Sequence, residues 1–175
     1  NILNIKKNDG SYDYDVGFFG SLSNVHNSRT EFLKKIDEKF NLVIYSKDKK
    51  EFEKLGFKNV KNYVFKDEIP NLVSKIKIIL VLNSSCSSPY YWSDRIHIMI
   101  GSGAFCLTQN IEGIQETYLP NEHHIIFNNQ SEIENLISEW INKDFEREEM
   151  REKGYQHAIK NHSYNNRVKE FLKRI

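Results

Sequence analysis

Short apolar runs alternate along this chain with stretches in which apolar residues recur every three or four positions. The segments Val16 to Gly20, Leu42 to Tyr45, Val60 to Val64, Ile76 to Leu82, Ala104 to Thr108 and Ile125 to Phe127, most of them such runs, predict six strands. Between them, Phe32, Leu33, Ile36 and Phe40 mark a helix over 29–40, whose start Ser28 can cap with Thr30 or Glu31. Further helices are predicted over 49–55, closed by Gly56, over 67–74, with Pro70 in the first turn, and over 92–100, ending at Gly101-Ser102-Gly103. Residues 112–118 read as a loop or one helical turn. Three helices, over 131–142, 146–160 and 164–174, finish the chain. Most of the strands are continuously apolar, which implies a parallel sheet covered on both faces. The expected class is therefore α/β: a doubly wound, Rossmann-like parallel sheet with terminal helices. Residues 1–14 are polar and read as a lead-in or linker, with one domain over 15–175. Such sheets bind ligands beyond the carboxyl ends of their strands, so the loops after strands 1, 3, 4 and 5 are the places to look.

Composition narrows the function classes. The 175 residues carry a net charge of +1, so no nucleic acid or anionic membrane is required as partner. With 39% hydrophobic and 28% charged residues the chain reads as globular. No apolar run approaches the ~20 residues of a membrane span. Cys86 and Cys106 make no disulfide framework, and a reducing cytoplasm is the expected location. The chain begins at Asn1, and a piece of a longer protein is expected.

Three segments carry candidate chemistry. Gly20-Ser21 follows the first strand, where a glycine lets backbone approach a phosphate. It is not the full dinucleotide fingerprint, so no NAD site is implied. After strand 4, Ser84 and Ser85 offer hydroxyls to a ribose or phosphate, Tyr91 an aromatic ring to a base or sugar, and Arg95 a bidentate partner for a diphosphate. A salt bridge to a nearby carboxylate is the plainer role for Arg95. After strand 5, Glu112-Gly113-Ile114-Gln115-Glu116 can turn backbone N–H groups and carboxylates toward a sugar or pyrophosphate, or be a solvated loop. Asp13-Tyr14-Asp15 has the spacing of a metal-binding pair but precedes the first strand, at the wrong end of the sheet. His123-His124 lacks partners at ligand spacing, and His26 is a weak candidate beside the first loop. The charge run from Glu146 to Lys153 reads as a solvated helix face, and Trp140 as core.

The stretch from Ser93 to Ile137, SDRIHIMIGSGAFCLTQNIEGIQETYLPNEHHIIFNNQSEIENLI, resembles the C-terminal domain of GT-B glycosyltransferases, in the group 1 and CgeB-like set. Arg95, Gly101-Ser102-Gly103, Gly113 and Glu116 carry the likeness, as do Gly154, His162, Tyr164 and Arg167 in the tail and DVGFFGSLSNVHNSRTEFLKKI at the front. The resemblance covers residues 15 to 174. It implies a nucleotide-sugar donor site and sugar transfer from a nucleoside diphosphate without a metal or other cofactor. It implies that Gly20, Ser21 and Arg95 contact the diphosphate, that Val64 and Phe65 hold the base, and that the loop with Gly113, Ile114 and Glu116 meets sugar or phosphate. Arg95 and Glu116 are the catalytic candidates on this reading. The partner implied is an acceptor-binding N-terminal domain, which makes turnover by this chain alone unexpected. One departure stands out: where relatives place two ribose-binding glutamates, this chain has Tyr90 and Ile98. That motivates a second reading, a binding module of the same fold with degraded donor chemistry.

Overall fold

A computed structural model describes residues 10–22, 27–65, 67–83 and 88–173. Six parallel strands form one sheet: β1 (Tyr14–Phe19), β2 (Leu42–Ser46), β3 (Val60–Asn62), β4 (Ile76–Val81), β5 (Cys106–Gln109) and β6 (Ile125–Phe127), in the order β3-β2-β1-β4-β5-β6. The helices are α1 (Asn27–Lys39), α2 (Lys49–Lys54), α3 (Ile69–Val73), α4 (Arg95–Ile100), α5 (Ile114–Thr117), α6 (Gln130–Trp140), α7 (Asp144–His162) and α8 (Tyr164–Leu172). The first strand starts at Tyr14, two residues earlier than its apolar run, because Val16 is paired with both Leu42 and Ile78 and the ladder extends back to Tyr14 opposite Ile76. Residues just before it are tied in as well: the Tyr12 hydroxyl donates to Glu148 Oε1 at 2.7 Å.

Alternation along the strands divides the core between two faces. Val16, Phe18, Ile44, Ile78 and Leu80 pack with Leu33 and Ile36 of α1, Phe52 of α2 and Ile137 of α6. Phe19, Val43, Ile79 and Val81 pack on the other face with Val73 of α3, Met99 of α4, Ile114 of α5 and Ala158 of α7. Each such large side chain contributes roughly 1.5–3 kcal/mol by leaving water. Trp140 packs against this core, its ring 5.0 Å from that of Phe105.

Several elements differ from the pattern reading. β3 ends at Asn62, and Tyr63 and Val64 leave the ladder. α4 begins at Arg95, three residues late, after a loop through Trp92. The charge run of α7 is a solvated face at Glu146, Glu149, Glu152 and Lys153, but Arg147 and Arg151 within it are buried. Arg147 donates to the Trp140 and Ile141 carbonyls and pairs with Asp144, and Arg151 Nε donates to the Gly103 carbonyl at 2.5 Å. Their backbone-carbonyl partners make the burial tolerable. Asp13 and Asp15 pair with Lys75 and Lys77 at 3.4 and 3.2 Å, at the amino end of the sheet.

Around the buried Tyr118 ring gather His97, His123, His124, His157 and His162. His124 is fully buried and its Nε2 meets the Tyr118 carbonyl at 3.1 Å, so in the neutral ring Nε2 carries the proton. Arg167 donates to His162 Nδ1 at 2.8 Å, and His162 Nε2 lies 3.1 Å from the Thr117 carbonyl. Among the described residues, no group of three His, Cys, Asp or Glu side chains could hold a metal ion, and no helix is long and apolar enough to cross a membrane.

Candidate functional site

The strand order turns between β1 and β4: from β1 the chain proceeds outward one way, from β4 the other. At the carboxyl ends of these strands, a cleft of about 340 Å³ opens where such folds place ligands. Gly20 and Ser21 from the loop after β1 form one wall, Lys47 after β2 and Tyr63 and Val64 after β3 another, and Ser93 to Arg95 with Ile98 a third.

Why these residues meet follows from local chemistry. Gly20 leaves β1 with its N–H donating to the Tyr45 carbonyl at 3.1 Å. A Cβ at Gly20 would sit 2.6 Å from the Phe18 ring and 3.2 Å from an Arg95 terminal nitrogen. A side chain here would press on the buried Phe18 ring and crowd the guanidinium that lies against this loop. The loop is tied to the next one by Leu22 N–H, which donates to Asp48 Oδ2 at 2.8 Å. Arg95 donates to the Leu82 carbonyl at 2.7 Å and sits 5.6 Å above the Phe18 ring. Arg29 approaches the same ring at 6.0 Å and donates to the Asn83 carbonyl at 2.8 Å. Two guanidinium groups therefore share one aromatic platform.

The electrostatic consequence is visible at Arg95. Burial, and then the like charge of Arg29, lower its pKa to about 10, while Asp94 and Tyr63 partly offset this. It remains cationic at neutral pH. A dianion entering the cleft relieves the repulsion and replaces lost hydration. Lys47, whose ammonium lies 5.0 Å from the Tyr63 ring, adds a third cation.

The sequence-derived candidates divide. Gly20, Ser21, Val64 and Arg95 line the cleft together. Phe65 does not: it is 76% exposed and packs edge-on against Tyr63. Tyr91 is exposed and outside the lining. Ile114 is buried in the core beneath its loop, while Gly113 and Glu116 lie outside the cleft. Ser84, Ser85 and His26 fall outside the described residues. Ile98 does face the cleft, and so does Asp94, one turn earlier on the same helix flank. Lys47, Tyr63 and Arg29 escape the sequence reading. Their available signal is position alone: Lys47 immediately follows a strand's carboxyl end, in the loop after strand 2.

A larger cavity of about 750 Å³ lies between α4, the end of α7 and α8, and shares Asp94 and Ile98 with the cleft.

Over residues 29–173 the sequence matches the family described as "Glycosyl transferase-like", and the chain belongs to that family. Its fold is shared with GT-B glycosyltransferases of known structure. One is a glycosyltransferase from Rickettsia africae, 18% identical, with a TM-score of 0.67, matching 94% of this chain and 48% of that one. Another is a mutant of the T4 phage BGT solved with UDP-glucose, 14% identical, TM-score 0.70, matching 96% and 49%. The C-terminal domain of the LpcC group 1 glycosyltransferase from Francisella tularensis is 15% identical, TM-score 0.61, matching 88% of each chain. The chain thus spans about half the length of the first two. No curated protein matches it by sequence.

Proposed function

We propose that this chain is the nucleotide-sugar donor-binding domain of a GT-B glycosyltransferase. The observation that carries the reading is the pair of arginines on the Phe18 ring, with Arg95 held against the side-chain-free Gly20 at the strand-order switch. The diphosphate would lie between the Gly20-Ser21 backbone and Arg95, with Lys47 adding charge. Arg95 would stabilise the charge that develops on the leaving diphosphate, which is electrostatic catalysis without a metal or other cofactor. The base would lie against Tyr63 and Val64. Asp94, a carboxylate in the cleft lining, is placed to accept from ribose hydroxyls where Ile98 cannot. The likeness to an enzyme solved with UDP-glucose makes a uridine nucleotide the first donor to try. An N-terminal acceptor-binding domain of the same protein, working in the cytoplasm, completes the proposal; the half-length match to whole enzymes and the full match to an isolated C-terminal domain support it.

Thermal stabilisation of the chain by nucleoside diphosphates and their sugars tests this. A base-selective rise in Tm is expected. Arg95→Ala should weaken binding roughly 10–100-fold, the worth of a charge-assisted hydrogen bond. Absence of any shift at millimolar nucleotide would favour the degraded binding module, the reading that Ile98 in the cleft wall motivates.

A further inference from the structure

Just past the carboxyl end of β4 stands a buried amide side chain, Asn83, only 7% exposed. A buried amide is tolerated when its polar atoms find partners. Here both ends of the side chain do. Its Oδ1 accepts the backbone N–H of Ser93 at 3.1 Å, and its Nδ2 points at the Gln109 carbonyl, 3.5 Å away. The backbone of Asn83 is engaged as well. Its N–H donates to Gln109 Oε1 at 3.1 Å, and its carbonyl accepts from Arg29 at 2.8 Å. Gln109 is the last residue of β5, so β5 holds Asn83 from one side while Asn83 holds the approach to α4 from the other.

Satisfying loop backbone would be role enough for an ordinary buried asparagine. What Asn83 satisfies gives it a further one. The residue before α4, Asp94, makes no side-chain capping bond to the helix. The start of α4 is instead fixed through Ser93, whose Oγ accepts the Arg95 N–H at 3.3 Å and whose own N–H is held by Asn83. Arg95 is the first residue of α4, so whatever sets Ser93 sets the root of the Arg95 side chain. The head of that side chain donates to the Leu82 carbonyl at 2.7 Å. Both ends of Arg95 are thus anchored to adjacent residues after β4: the guanidinium to Leu82, the backbone, by way of Ser93, to Asn83. Ser93 and Arg95 line the cleft, whereas Asn83 supports that wall without being part of it. A charge-assisted bond from Arg95 to an anion depends on direction as well as distance, so a displaced root weakens it.

We infer that Asn83 is a positioning residue for the diphosphate: its side-chain carbonyl fixes Ser93, and through Ser93 the start of α4, so that Arg95 is aimed into the cleft before a ligand arrives. This rests on the donor-binding reading above, which gives the diphosphate to Arg95. Asn83 touches no part of the ligand and acts only through the arginine it aims.

Calorimetric titration of the 175-residue chain with UDP tests it, using wild type, Asn83→Ala, Arg95→Ala and the double variant. Asn83→Ala should weaken UDP about threefold to tenfold, the worth of one neutral hydrogen bond. In the Arg95→Ala background the same substitution should cost less than about twofold, because Asn83 acts through Arg95. Amide exchange read by NMR reports on the bond itself: Asn83→Ala should speed exchange at Ser93 while the amides of β4 and β5 stay protected. Should Asn83→Ala fail to fold, Gln109→Ala, which removes the acceptor of the Asn83 N–H, takes its place with the same expected pattern. Equal losses of UDP affinity in both backgrounds, as a general loosening of the domain would give, or no loss in either, would overturn the positioning role. Unchanged exchange at Ser93 would overturn it too. Failure of wild type to bind UDP would instead overturn the donor-binding reading, and this proposal with it.

Discussion

At the scale of single residues, Gly20 and His124 make opposite kinds of demand on their surroundings. Gly20 is needed for its missing side chain. Gly20→Ala puts a methyl 2.6 Å from the Phe18 ring and 3.2 Å from Arg95. Nucleotide affinity should fall roughly tenfold and the denaturant midpoint should fall with it, because the methyl displaces the core ring of Phe18 as well as the Arg95 guanidinium of the cleft. His124 is needed neutral. Burial lowers its pKa to about 4, and among the described residues Nδ1 has no partner to receive a second proton. His162 is also lowered to about 4, by desolvation first and then by Arg167 among its neighbours, despite the opposing bond to Thr117. Because the unfolded chain takes up these protons near pH 6.5, it binds more protons than the folded one below that point. Stability contributed by the neutral rings is therefore complete above pH 6.5 and lost as pH falls toward 4. Denaturant midpoints measured from pH 7 to 5 should decline, and His124→Gln, which keeps an N–H for the Tyr118 carbonyl, should flatten part of the decline. Glycine and arginine in the cleft were legible in sequence because each has a property no other residue offers. Lys47 was not, since one lysine in a chain with 25 Lys and Arg carries no signal of its own.

The elements were legible wherever one periodicity dominated. Five of the six strands were readable from their apolar runs, since a strand buried on both faces has few polar positions, while the edge strand β3, Val60-Lys61-Asn62, exposes two of its three residues. The margins were not: Tyr63 and Val64 were read as part of β3 but turn toward the cleft. Helix α7 shows another limit. Its acidic and basic residues suggested solvent, yet Arg147 and Arg151, four apart, face inward and serve carbonyls at Trp140 and Gly103. Arginine covers apolar surface with its stem and reaches carbonyls with its head, so charge alone does not locate it. Arg151→Met should lower stability by about 1–3 kcal/mol by leaving the Gly103 carbonyl unpaired, seen as a lower denaturant midpoint at constant slope. The same loss should leave nucleotide affinity intact, because Gly103 lies behind α4 and outside the cleft.

For the whole molecule, the sheet order has consequences for activity and for assembly. If the proposed donor site is one half of a two-domain enzyme, this chain should bind nucleotide without transferring sugar to an acceptor, and a radiolabelled-donor assay with a polysaccharide acceptor should show no product. The cleft itself is assembled from two blocks of sequence. Gly20, Lys47 and Tyr63 come from the block that forms β1, β2 and β3; Ser93 and Arg95 come from the block that forms β4, β5 and β6. Those blocks meet in the sheet along one strand pair, β1 against β4. Severing the chain between Phe65 and Asp67 would therefore yield two three-stranded fragments, each with one newly exposed edge and part of the cleft lining. A ligand bridging both halves would draw them together, so the fragments fused to complementary reporter pieces would make a sensor whose signal rises with donor concentration.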